Sequence, residues 1–172
     1  MHAERPRMTL VLQPLDKWLE TLAISGFVVL WLFFVRVYTI LPDIIPIHFN
    51  LKGVADGYGS RNTLFILPLV ASCIYALITV LNRYPYLFNY MVTITAQNAE
   101  TQYRLATRLL RVIKLVVIIV LGFISMMVAA SVKDASITRW IGACIPVIIA
   151  IFIVPTIVYI YYAVKNNTTT TR

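Results

Sequence analysis

The chain has 172 residues, is 60% hydrophobic and 13% charged, and carries a net charge of +8. A soluble domain is about a quarter charged, so this composition, with a mean hydropathy of +0.82, excludes an ordinary soluble globular protein. The positive balance does not point to nucleic acid, because the basic residues flank apolar blocks instead of forming a basic domain.

The apolar residues fall into blocks of about 18–24, the length that crosses a roughly 30 Å hydrocarbon core at 1.5 Å per residue. Blocks this continuous must satisfy their own backbone hydrogen bonds in lipid, so helices are predicted; the alternating polarity of a membrane barrel is absent from the sequence. Residues 1–17 read as a polar tail, the part before Met8 as dispensable. A cleaved signal peptide is not expected, since the first block starts late and carries Glu20 at its mouth.

The first span is placed at about 18–41, with Trp18 and Tyr38 near its ends and Pro42 closing it. An outer loop, 42–62, is too rich in Gly, Pro and polar residues to cross a membrane. Ile45–Asn50 suits a short strand, Asp56-Gly57 and Gly59-Ser60 are turn signals, and a small hairpin is an option. The second span is placed at about 63–81. From 95 to 114 the pattern is amphipathic, with Thr95 as a candidate N-cap. Arg104, Arg108 and Arg111 share one face, and Glu100 is spaced to pair with Arg104. The period continues into a third span, 115–131, so either one long helix or a surface helix bending into the membrane fits. The fourth span, about 140–164, contains Pro146 and Pro155, where kinks are expected. Residues 165–172 read as a disordered tail. The predicted fold is thus an all-α integral membrane protein: one four-helix domain over 18–164 with an ordered loop between its first two helices.

Four spans place both termini and the middle connection on one side. Of the 15 Lys and Arg residues, only Arg36, Lys52, Arg61, Lys133 and Arg139 lie on the other side. The positive-inside rule then predicts cytoplasmic termini and an extracytoplasmic loop.

That loop concentrates the unusual residues: Pro42, Asp43, Pro46, His48, Phe49, Asn50, Gly53, Asp56, Gly57 and Arg61. Three readings compete. It is a folded cap or recognition surface, with Asn50 and Asp56 making turn hydrogen bonds; or His48 binds metal with Asp43 and Asp56; or His48 is a catalytic base. The metal reading has few ligands to draw on, since zinc sites usually need three and the other histidine is His2 in the tail. No cofactor is expected. Cys73 and Cys144 lie in apolar spans and read as two packed thiols. The basic face Arg104/Arg108/Arg111/Lys114 suggests a surface resting on anionic lipid or docking a cytoplasmic protein. Glu20 and Arg36 sit only at span edges, which argues against a pump or a voltage sensor. Small residues such as Gly26 and Gly122 suit helix packing, within the bundle or in a homo-oligomer.

The loop motif Pro42-x-x-Ile45-Pro46-x-His48-Phe49-Asn50-x-x-Gly53-x-x-Asp56-x-x-Gly59-x-Arg61 resembles the signature of a bacterial membrane domain of unknown function. That domain also forms the N-terminal part of the SdpI-type immunity proteins. A second stretch, Asn82-Arg83-Tyr84-Pro85, Phe88-Asn89-Tyr90, Ile94-Thr95, Asn98, Gln102 and Tyr103, resembles its short stand-alone members; together the two cover roughly residues 41–110. The resemblance implies a bacterial inner-membrane, non-enzymatic protein. SdpI-type proteins protect a cell from a secreted toxic peptide and can bind a repressor at the membrane. The implied partners are a peptide outside and a protein in the cytoplasm. The rivals are an envelope enzyme acting on lipid or peptide with His48 as base, and a small transporter.

Overall fold

The computed structural model describes residues 5–50 and 52–168; His2 and residues 169–172 of the expected tail lie outside them. Helix α1 (Pro14–Tyr38) leads into strands β1 (Ile44–Phe49) and β2 (Ala55–Ser60), a 3-10 turn at Arg61–Phe65 and helix α2 (Ile66–Leu81). A second 3-10 turn (Pro85–Leu87) precedes helix α3 (Ala99–Ser131), and a third (Ala135–Trp140) joins it to helix α4 (Ile141–Thr168). Four helical segments are long and apolar enough to cross a membrane. The all-α expectation therefore needs one amendment, a two-stranded antiparallel sheet.

The helix starts differ from those expected, for reasons of capping. α1 begins at Pro14, earlier than 18, because proline suits the first helical turn and Asp16 Oδ2 accepts the Gln13 N–H at 3.0 Å. α3 begins at Ala99, one turn after Thr95. Thr95 and Asn98 instead form a reciprocal turn: Asn98 Oδ1 accepts the Thr95 N–H at 2.8 Å, and Thr95 Oγ1 accepts the Asn98 N–H at 3.4 Å. From there α3 is one unbroken 33-residue helix, which settles the choice left open by periodicity. At 1.5 Å per residue it is about 50 Å long, well beyond a hydrocarbon core. α4 continues through Lys165 to Thr168, so ordered helix extends into the segment read as a tail.

α3 is the central element, with α1, α2 and α4 each packed against it. Near the hairpin, Phe34, Val37 and Leu41 from the α1 end meet Ile45 of β1, Leu64 and Val128 of α3 in one buried cluster. At the other end, Tyr103 and Ala99 of α3 bury against Ile94, with Met8 and Leu10 packed on them. The segment before α1 is therefore seated on the bundle. Arg5 donates to the Phe88 carbonyl at 2.6 Å, the Tyr103 hydroxyl donates to the Pro6 carbonyl at 3.2 Å, and Arg5 lies 5.6 Å from the Tyr90 ring centre. Those contacts give Arg5 and Pro6, within the part read as dispensable, a structural place. Burial here pushes the Tyr90 phenol well above its ordinary range. The α3–α4 pair is tied by Gln102, whose amide donates to the Ala163 carbonyl at 2.8 Å, and by Asn98, which donates to Asn167 at 2.9 Å.

Candidate functional site

The motif-bearing loop folds into the β1–β2 hairpin, and most of its polar residues are used in shaping it. Asn50 makes the turn: its side-chain oxygen accepts the N–H of Lys52 at 2.9 Å and of Val54 at 3.1 Å. Gly53 completes that turn at φ 74°, a left-handed conformation that favours glycine. The turn thus lies at 50–54, and Asp56-Gly57 and Gly59-Ser60, read as turn signals, stand in β2. Both glycines are there for close approach. A Cβ on Gly57 would lie 2.9 Å from His48 Cβ, and one on Gly59 would lie 2.7 Å from Ile47 Cδ1. Pro46 interrupts the ladder, and the register shifts between Pro46 and His48 and again before Phe49.

The hairpin base is closed by Arg61. Its guanidinium donates to the Leu41 carbonyl at 2.9 Å, lies 3.3 Å from Asp43 and stacks 5.0 Å over the Tyr38 ring. Tyr38 in turn donates to Asn62 at 2.6 Å. Pro42 stands exposed between α1 and β1, Pro46 is buried and Phe49 is half-buried. The hairpin tip is clasped from the α3–α4 connection, where the buried Thr138 hydroxyl donates to the Gly53 carbonyl.

His48 and Asp56 meet across the strands: His48 Nδ1–H donates to Asp56 Oδ1. A carboxylate only accepts, so Nδ1 carries the proton of this bond. Their side chains are 70% and 43% exposed, so the pair stands on the hairpin surface and not in a cleft. Asp43 pairs with Arg61 instead, so the three residues considered for metal do not converge. Among the described residues no group of three or more His, Cys, Asp or Glu is arranged to hold a metal ion.

The basic face of α3 is not the open surface expected. Arg104, Arg108, Arg111 and Lys114 turn toward α1 and form an ion-pair ladder with it. Arg108 Nε donates to Asp16 at 2.9 Å, and Arg104 bonds Glu100 at 2.7 Å and the Val11 carbonyl at 2.9 Å. One turn further, Arg111 donates to Glu20 Oε1 at 3.1 Å and Lys114 to Glu20 Oε2 at 2.5 Å. The rungs climb in the same order on both helices, so α1 and α3 run in the same direction. Lys114 is fully buried; its ammonium also donates to Thr79 of α2 at 3.2 Å and sits 4.7 Å over the Tyr75 ring. A carboxylate, a hydroxyl and an aromatic face thus surround one ammonium, joining three helices. The physical reason is the cost of leaving such charges unpaired in an apolar setting. Sequence reasoning missed Asp16, Thr79, Tyr75 and Thr138. The one signal that pointed here was Glu20 at the mouth of a span.

These features define a multi-pass membrane protein whose first two spans carry a clasped hairpin. Residues 26–72, from mid-α1 through the hairpin into α2, match the family described as Domain of unknown function (DUF1648). An uncharacterized protein of the archaeon Archaeoglobus fulgidus is 38% identical over 81 residues, covering 42% of this chain and 44% of that protein. The chain thus spans less than half the length of the curated relative it matches. No solved structure matches the chain.

Proposed function

We propose that this chain is a non-enzymatic, multi-pass protein of the bacterial inner membrane that senses or resists a membrane-active peptide, in the manner of the SdpI-type proteins it resembles. The hairpin faces outward and makes the contact; both termini are cytoplasmic, in keeping with the distribution of basic residues. One observation carries this reading. The motif's Asn50, Gly53, Asp43 and Arg61 are spent on holding the hairpin's shape, and what the hairpin then offers is a surface. Ile44, Ile47, Val54 and Tyr58 are exposed on the hairpin that carries the His48–Asp56 pair. Exposed apolar residues beside a fixed polar pair suit an amphipathic partner. A base working on lipid or peptide would be expected in a cleft beside an oxyanion donor or nucleophile, and His48 stands on an open surface.

The test is a susceptibility assay in cells with and without the chain. Loss of the chain is expected to raise sensitivity to envelope-active peptides. Restoration with an Ile47→Asp, Tyr58→Asp double variant, checked for membrane abundance, is expected to fail. Unchanged sensitivity on deletion, or full rescue by that variant, overturns the reading.

A further inference from the structure

The seam between α1 and α3 carries a feature that neither the hairpin surface nor the ladder uses. Two adjoining cavities of about 280 and 350 Å³ run along it. The first lies where Gly26 faces α3 and Gly122 faces α1; Cβ atoms there would stand 3.4 Å from Ile118 and 3.8 Å from Leu30. It shares Phe33 and Met126 with the second, which reaches Val132 and Lys133 at the hairpin end. Shared walls make them one groove. From Ile118 to Val132 it spans about 21 Å of helix at 1.5 Å per residue. That exceeds one leaflet of a roughly 30 Å hydrocarbon core. Almost all of its lining is apolar.

The hairpin end of the groove is cationic. Lys133 lines it, one step past the end of α3. On α1, Arg36 continues the stripe of Val29, Phe33 and Ile40, spaced by four, three and four residues. Both side chains are exposed, and neither is ion-paired among the described residues. This contrasts with the four cations at the other end of α3, each of which meets a carboxylate.

We infer that the groove holds one chain of an anionic phospholipid from the leaflet on the hairpin side, with its phosphate between Arg36 and Lys133. The apolar trough takes the acyl chain, and the two cations at headgroup level select the charge. Each cation near an anionic headgroup contributes about a 5.4-fold preference, so two give about thirtyfold. The full chain would be placed in nanodiscs of equal phosphatidylglycerol and phosphatidylcholine, released, and its retained lipids counted by native mass spectrometry. Retention of phosphatidylglycerol over phosphatidylcholine by about thirtyfold is expected. An Arg36→Gln, Lys133→Gln variant should lose the preference, and a Lys17→Gln, Arg83→Gln variant, altered at the opposite end, should keep it. Gly122→Leu should lower retention of both lipids by filling the trough. Equal retention of the two lipids, or equal loss of preference in both charge variants, overturns the inference. These outcomes are independent of peptide sensitivity.

Discussion

The two ends of this bundle handle charge in opposite ways. At the hairpin end, the Thr138 clasp aside, polar side chains bond groups close by in the chain: Asn50 bonds residues two and four positions away, and His48 and Asp56 are eight apart. At the other end, Arg111–Glu20 and Lys114–Glu20 join partners ninety residues or more apart. The hairpin pair is exposed to water, whereas Lys114 is enclosed completely. Local, solvated contacts shape a surface at modest energetic consequence. Long-range, enclosed contacts weld helices together, and each becomes costly to break.

The sharpest way to break this contrast is at Lys114. Lys114→Met leaves the Glu20 carboxylate with Arg111 alone and removes the ammonium that Thr79 and Tyr75 also meet, so it should destabilise the bundle by about 3 kcal/mol, read as a lower melting temperature in detergent. Adding Glu20→Gln should deepen that loss, because the buried Arg111 then loses its carboxylate; a single variant as stable as the parent would mean that the ladder is not a weld. Next in size is Gly57→Ala. Its Cβ would meet the His48 Cβ at 2.9 Å, so the strands must separate, at about 1–3 kcal/mol. Hydrogen exchange should quicken in the β1–β2 ladder while α3 keeps its protection. Asn50→Ala removes the acceptor of two turn amides and should cost about 1–2 kcal/mol, seen as faster exchange at Lys52 and Val54. The smallest effect belongs to His48→Ala, which breaks an exposed pair and should move the melting temperature by no more than about 0.5 kcal/mol would. A larger loss there would erase the distinction between the two ends.

What could be read from the sequence follows the same division. The spans were legible because length and hydropathy are local properties, and the four long apolar helices correspond to them. The hairpin was half legible. Ile45–Asn50 shows as a strand, but Gly57 and Gly59 read as turn residues because a glycine's need for space looks the same in sequence as its need for a positive φ. The spacing of Arg104, Arg108 and Arg111 gave their common face correctly and the direction of that face wrongly. Periodicity shows that residues share a side, not what lies opposite, and the matching carboxylates sit on another helix. The clasp from Thr138 left no local trace at all.

That clasp also sets a schedule. Gly53 and Thr138 are 85 residues apart in the chain. At a synthesis rate of about 5–20 residues per second, the hydroxyl emerges on the order of 4 to 17 s after the carbonyl it will hold. During that interval the hairpin has its own turn and its Arg61 closure, but nothing to press its tip against. The last step in shaping this surface therefore waits for the connection between α3 and α4 to be made.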